Sequence, residues 1–313
     1  MEKTTPEVTY AGLDVAKDRL DYTVDGTRCD HVPNTVRGHE RFIAALRSWP
    51  RIRVICEASG GYERAVVAAL LLAGLEVCVV NPGRVRAFAR AEGLLAKTDR
   101  LDAQLLRRFG QKVQPRLHAP MDQSAIILRE LLDYRRQVCA QLLAAHNRLE
   151  LAGAVLRVRL EAQVVFLEKE LAEIDRLIKE HIEQDDTLRR KAARLRELQG
   201  AGPVLTATLL AYVPELGEIG SPQLSALIGV APYAHDSGRT QKNRHVRGGR
   251  APVRHVLYMA ALAATRYNPI LRAYYQRLIA AGKPKRVSLV AVMRKMLHVL
   301  NLLLADPHFV LVR

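Results

Sequence analysis

From Ser124 to Leu198 the chain carries no strand signal. Within that stretch Leu160, Val164, Leu167, Leu171, Ile174 and Ile178 step by four, three, four, three and four residues. Apolar side chains at this spacing form one stripe of an α-helix. Glu168, Lys169, Glu170, Glu173, Asp175, Arg176 and Lys179 flank the stripe and keep the other faces wet. An earlier seam runs through Leu128, Leu131, Val138, Leu142 and Leu149. A chain with so long a helical middle cannot close as one sheet-based domain. Two long antiparallel helices satisfy the pattern, and so does a coiled coil that joins two copies; the spacing does not choose between them. The 313 residues then divide into 1–118, 119–197 and 198–313, each of ordinary domain size or smaller.

The first part reads as α/β. Val8 to Val15 is short and β-rich, Arg19 to Val24 alternates polar and apolar residues, and Lys17-Asp18 makes a hairpin turn between them. A third strand is expected near Cys29 to Val32, a helix from Thr35 to Trp49, and a strand from Arg51 to Cys56 that ends at Glu57. After the Gly60-Gly61 break come a helix from Tyr62 to Ala73, a strand from Glu76 to Val80, and helices from Gly83 to Glu92 and from Thr98 to Phe109. This order predicts a mixed sheet covered by helices. The last part reads as all-α: helical segments, a loop from Pro232 to Pro252, then two Ala/Leu-rich helices to the end.

Charge divides the chain more sharply still. It has 48 Lys+Arg against 32 Asp+Glu, a formal net charge of +16. Through Asp236 the count is 33 basic to 31 acidic. From Gly238 onward it is 15 to one, the single acid being Asp306. That excludes an ordinary metabolic enzyme as the default reading and points to a polyanion, most simply nucleic acid. Cys29, Cys56, Cys78 and Cys139 form no CxxC pair and read as reduced thiols of a cytosolic protein. The N-terminus lacks the order of a signal peptide. Ala65–Leu75 and Ser288–Ala305 are too short or too interrupted to span a bilayer, so a soluble protein without membrane contact is expected. His235, His245 and His255 do not have zinc-ligand spacing, and no Walker-type loop supports NTP hydrolysis.

Four carboxylates occupy informative places. Asp14 lies inside the first strand, on the opposite face from Leu13 and Val15. Glu57 ends the RIRVIC strand. Asp99 and Asp102 stand three apart, hence on one face of a helix. Asp18 and Asp21 compete with Asp14 but fall in the turn and the next strand. Acids on two strands plus an acidic helix pair match the layout of RNase H-like nucleases. There two Mg²⁺ ions roughly 4 Å apart clamp the attacking and leaving oxygens of a phosphodiester, and hard Mg²⁺ prefers carboxylate oxygen.

Two C-terminal features complete the set. Leu198-Gln-Gly-Ala-Gly-Pro203 has the hydrophobic-x-Gly-x-Gly form of a helix-hairpin-helix turn, in which backbone N–H groups around Gly200 and Gly202 hold a DNA phosphate. Ser237 stands where the carboxylates run out, followed by Arg239, Lys242, Arg244, Arg247, Arg250 and Arg254. A serine hydroxyl is a weak nucleophile without activation. Composition alone therefore favours a serine that binds phosphate or caps a helix, beside cations that grip nucleic acid.

The chain resembles, end to end, the DEDD transposases of bacterial insertion sequences. That family includes the Piv/MooV-type invertases and bridge-RNA-guided recombinases. The resemblance rests on Gly12-Leu-Asp-Val-Ala-Lys17, Glu57-Ala-Ser-Gly-Gly-Tyr-Glu63, Asn81-Pro-Gly-Arg-Val85, Lys97-Thr-Asp-Arg-Leu-Asp-Ala103, the Leu198–Pro203 turn and Gly229-Val-Ala-Pro-Tyr, with Ser237-Gly238, Gly248-Gly249, Arg254 and Tyr258-Met-Ala260 extending it. It implies a RuvC-like, RNase H-like N-terminal domain in which Asp14, Glu57, Asp99 and Asp102 bind Mg²⁺ (or Mn²⁺), and a C-terminal transposase domain in which Ser237 is the nucleophile and forms a transient phosphoserine. It also implies a composite site between protomers, a dimer that assembles toward a tetramer, donor and target DNA chosen by a structured bridge RNA, and a nucleoid-associated place in the bacterial cytoplasm. Two other readings compete: a RuvC-like Mg²⁺-dependent junction endonuclease without covalent intermediate, and a non-catalytic nucleic-acid-binding protein with a decayed site.

Overall fold

A computed structural model describes residues 8–94, 99–118, 122–233 and 245–311, the side chains of 99–101 excepted. The chain forms two compact units, Met1–Pro120 and Met121–Arg313.

The first unit holds β1 (Thr9–Val15), β2 (Arg19–Thr23), β3 (Asp30–Pro33), α1 (Val36–Leu46), β4 (Ile52–Glu57), α2 (Glu63–Leu72), β5 (Glu76–Val80), α3 (Pro82–Ala91) and α4 (Asp99–Val113). The sheet order is β3-β2-β1-β4-β5. The first three strands form an antiparallel meander, and β4 and β5 add to β1 in parallel. The expected mixed sheet is therefore present, with element ends moved by a few residues.

Strand alternation sorts the side chains onto two faces. Ala11, Leu13, Val15, Leu20, Val54 and Cys56 face a core completed by Phe42 and Leu46 of α1 and Val66, Val67 and Leu70 of α2. Tyr10 and Ile55 face the other way, against Val85 of α3 and Leu105, Leu106 and Phe109 of α4. On this second face α4 lies almost on the backbone of β1. A Cβ added to Gly12 would stand 1.9 Å from the carbonyl oxygen of Ala103, and one added to Gly110 would stand 2.5 Å from Ile55. The helix therefore runs antiparallel to β1, with its first turn over the C-terminal ends of β1 and β4.

The second unit holds α5 (Gln123–Glu150), α6 (Ala154–Gln184), α7 (Asp186–Arg196), α8 (Pro203–Tyr212), α9 (Ser221–Ile228), the short strands β6 (Pro232–Tyr233) and β7 (His245–Val246), α10 (Ala251–Tyr267), α11 (Pro269–Ala280) and α12 (Lys285–Ala305). The heptad stretch is two long helices folded on each other as a hairpin. Val138, Ala145, Val164 and Leu167 form a small seam toward its tip. Its base is different: Leu128, Leu132, Ile174, Ile178 and Ile182 join the large core built by α7 to α12. The hairpin base and α7 thus share one core with the C-terminal helices. Three helices, rather than the expected two, follow the ribbon. Pro269 has no N–H to continue α10, and the Asn268 side chain accepts from Leu271 N and starts α11.

Helix α12 is long and apolar enough to cross a membrane by length and composition, which corrects the expectation drawn from its interrupting cations. Half of it is buried, with Leu289, Val292, Met293, Met296, Leu297, Leu300 and Leu303 in the core. All four cysteines are free thiols, Cys56 and Cys78 buried. Burial pushes the Cys56 thiol far up and the Cys78 thiol up to about 11, so neither is a ready nucleophile.

Two substitutions test these contacts. Gly12→Ala is expected to cost about 1–3 kcal/mol in urea unfolding and to lower activity beyond that loss, because α4 must lift from the sheet. Arg194 of α7 donates to the carbonyls of Leu303, Asp306, Pro307 and Phe309 and so ties down the end of α12. Arg194→Ala should cost about 2 kcal/mol, read as a fall in Tm of about 4–8 °C. Arg194→Lys should recover less than half of it, since an ammonium lacks the fork.

Candidate functional site

The pairing of β1 with β4 extends to Leu13 and Cys56, one residue short of Asp14 and Glu57. The two acids therefore end adjacent parallel strands. Asp14 shares the face of Gly12 and Glu57 the face of Ile55, which is the face α4 covers. Asp102 immediately precedes Ala103, the residue whose carbonyl touches Gly12. Fold and register thus carry three of the four expected acids to one end of one sheet face. The Asp99 backbone lies in the first turn of the same helix, and its side chain is outside the described residues. Asp14, Glu57 and Asp102 are all half-buried.

The segment after Glu57 is locally fixed. Oε2 of Glu63 accepts from Ser59 N at 3.1 Å, Ser59 Oγ at 3.2 Å and Gly61 N at 2.9 Å. Ala58 N donates to Val80 O and holds the strand end to β5. Gly60 and Gly61 adopt φ of 74° and 114°, which a residue with a side chain rarely takes. The Glu57–Glu63 motif is thus a shaped turn that presents its first acid and closes on its last.

The donors suit a hard divalent cation: they are carboxylates, with no thiol or imidazole beside them in the motifs. Among the described residues no three His, Cys, Asp or Glu side chains gather closely enough to hold a metal by themselves. The alternation of the sheet also reveals an acid that sequence reasoning set aside. Asp21 of β2 stands directly opposite Asp14 and is only 5% exposed. Its carboxylate receives Arg19 Nε at 2.7 Å and Nη2 at 2.5 Å. Only the hairpin register makes it a neighbour of Asp14.

In the second unit, Ser237, Arg239, Lys242 and Arg244 lie outside the described residues. The ribbon pairs Pro232 with Val246 and Tyr233 with His245, on either side of that segment. Its base is a tight glycine contact. A Cβ on Gly229, at φ 80°, would meet Gly248 O at 2.0 Å, and one on Gly249 would meet Gly229 N at 2.2 Å. Arg247 is exposed. Arg254 donates to Gly248 O. Arg250 makes a two-pronged pair with Glu215 at 2.6 and 2.8 Å, so its charge is largely matched within the fold. Exposed cations that the sequence reading left out stand farther along: Arg266, Arg272, Lys283, Lys285, Arg286, Arg294 and Lys295.

The turn before α8 is built as its glycines suggest. Gly200 has φ 110°, and a Cβ there would stand 2.9 Å from Ala264 of α10. Asn268 Nδ2 donates to Gln199 O at 2.9 Å. Gly202 is the N-cap of α8 and has open space where a Cβ would sit. No side-chain hydrogen bond caps that helix start.

Comparison with known proteins places the chain among transposases. A family model described as "Transposase", of the DEDD IS110 type, matches residues 11–152. The model of the "Transposase IS116/IS110/IS902 family" matches 192–276. The pilin gene-inverting proteins of Moraxella lacunata and Moraxella bovis are each 27% identical over 307 residues, covering 92% of this chain and 93% of theirs. An uncharacterized 43.6 kDa protein of insertion element IS110 from Streptomyces coelicolor is 29% identical over 117 residues, 37% of this chain and 29% of that protein. The first family model spans Asp14, Glu57, Asp99 and Asp102, and the second spans the Gly200 turn and Ser237. The chain belongs to the IS110 family of DEDD transposases, enzymes that recombine DNA.

Proposed function

We propose that this chain cuts donor and target DNA and rejoins the strands through a transient phosphoserine at Ser237, with Asp14, Glu57, Asp99 and Asp102 as its Mg²⁺ (or Mn²⁺) ligands in an RNase H-like, RuvC-like domain. The docking of α4 on Gly12 carries this reading. It sets an acidic helix turn over the ends of the two strands that bear Asp14 and Glu57. The sheet order, with an antiparallel meander followed by two parallel strands, supports the same domain assignment. Bound metal would supply positive charge to the attacking and leaving oxygens.

In this reading the Ser237 Oγ gives up its proton to solvent or a neighbouring base and bonds to a phosphorus. The P–O bond to one deoxyribose breaks, and the displaced deoxyribose oxygen takes a proton from solvent or a neighbouring group. The new phosphoserine bond keeps the energy of the old phosphodiester, so a second deoxyribose hydroxyl can displace the serine without ATP. Arg239, Lys242, Arg244, Arg247 and Arg254, with the Gly200 and Gly202 turn, hold phosphate backbone. Arg250 shapes the loop base through Glu215. A structured bridge RNA chooses donor and target by base pairing, while the protein reads backbone and shape.

The functional division remains 1–118, 119–197 and 198–313, with the α5–α6 hairpin joining copies into a dimer and then a tetramer. Leu143, Val155, Leu156, Val158 and Phe166, all more than 60% exposed along that hairpin, support such pairing. The bacterial cytoplasm, at the nucleoid, is where its DNA lies. The pilin gene-inverting relatives support recombination as the activity.

The deciding experiment is a denaturing gel of end-labelled DNA spanning the flanks of the gene, with RNA transcribed from those flanks. Wild type with Mg²⁺ should give a covalent protein–DNA adduct. Ser237→Ala should give none, and Asp14→Asn should lose cleavage by at least about 10²-fold. Free ends without adduct, with activity surviving Ser237→Ala, would establish the junction-endonuclease chemistry instead. Unchanged activity in Asp14→Asn and Asp102→Asn would leave only nucleic-acid binding.

A further inference from the structure

We propose that Arg19, locked by Asp21, is a further member of the acid site and contacts the DNA phosphate on which the site acts. The inference rests on the reading of Asp14, Glu57 and Asp102 as that site.

The starting point is an arrangement that packing alone does not favour. Asp14 and Asp21 are direct partners across an antiparallel pair, where side chains lie about 4.5–5.5 Å apart at Cβ and like charges repel. Leu20 belongs to the core on the far side of the sheet, so Asp21 is on the near side, under α4. That helix holds the β2–β3 turn in place through Arg107 Nε to Val24 O at 2.6 Å and Gln104 Nε2 to Gly26 O at 3.0 Å. Asp21 is thus a 5% exposed carboxylate beside a second carboxylate, in a place where an apolar side chain would be cheaper.

Arg19 gives the arrangement a purpose. Nε and Nη2 grip the two oxygens of Asp21 at 2.7 and 2.5 Å, which fixes the plane of the guanidinium. Arg19 lies two residues from Asp21 on the same face. Ala16 N donates to Arg19 O at 2.9 Å, so Arg19 sits just past Asp14, at the sheet end where Glu57 also lies. Its side chain is 51% exposed while that of Asp21 is 8% exposed. The fold therefore presents a rigid, permanently charged, half-open guanidinium at the rim of an acidic cluster. A phosphodiester approaching acids needs a cation to offset their repulsion, and a fixed guanidinium suits its non-bridging oxygens. In this assignment Arg19 touches substrate and Asp21 is a positioning residue.

The test uses the full chain, the labelled flanking DNA and the flank-derived RNA, with cleavage rates at saturating and limiting DNA. Arg19→Gln should lower kcat about 10²–10³-fold, with a much smaller change in KM. Asp21→Asn should lower kcat by about tenfold or more, without loss of Tm. Arg19→Lys should restore part of the rate, because it keeps the charge and loses the fork. The double variant should be no slower than Arg19→Gln alone, since both changes remove one unit. If kcat of Arg19→Gln stays within about threefold of wild type, or the two effects multiply, the inference is wrong. The Asp14→Asn control separates the two levels. An inactive Asp14→Asn beside an active Arg19→Gln overturns this inference alone, whereas an active Asp14→Asn overturns the acid site beneath it.

Discussion

Helix α4 rests on β1 with its backbone against the strand, because Gly12 offers no side chain to hold it off. The placement of the N-terminal site follows from that contact. The helix axis, once pressed to the strand, fixes which turn of α4 hangs over the sheet end. Phe109 and Leu106 seal the near face around Tyr10 and Ile55, so the helix cannot slide along the strand without opening a core. Arg107 and Gln104 then tie the β2–β3 turn to the same helix. A single close approach thus aligns acids from residues 14, 57 and 102.

The second unit is organised by shared burial. The hairpin base, α8 and α12 contribute to one core, and polar side chains pin the irregular segments around it. Asn301 accepts from Gly217 N at 2.8 Å and donates to Ile219 O at 3.0 Å. Asn268 ends one helix, starts the next and holds the Gln199 turn. Arg194 gathers the carbonyls after α12. These bonds satisfy backbone groups that no helix or ladder could reach. The Asn268 bond to Gln199 also holds the glycine turn, one of the places from which the C-terminal domain is proposed to hold DNA.

Much of this was legible in the residues. Alternation in Arg19–Thr23 and the apolar runs of β1, β4 and β5 declared strands, because sheet faces demand a period of two. The heptad of α6 declared a long helix, but not that its base would merge with the C-terminal core; the same stripe serves an intramolecular partner or a second chain. Asn268-Pro269, which the sequence reading did not use, ends α10 and starts α11 and so accounts for the extra helix. The membrane-like character of α12 was underestimated because Arg294 and Lys295 lie on its exposed side, where they interrupt the sequence without interrupting the buried face. Asp21 was passed over because sequence distance from Asp14 says nothing about hairpin register.

By itself the sequence determined an α/β start with a helical remainder, the mixed sheet, the separation of acids from bases along the chain and the motifs of its family. Local periodicity, turn chemistry and composition are properties of neighbouring residues, and they survive in one dimension. Tertiary structure decided which acids share a face, that Arg250 is matched by Glu215 while Arg247 stays open, and that Arg19 and Asp21 stand beside Asp14. Those outcomes depend on strand register and helix docking, which are set by close packing between residues far apart in the chain.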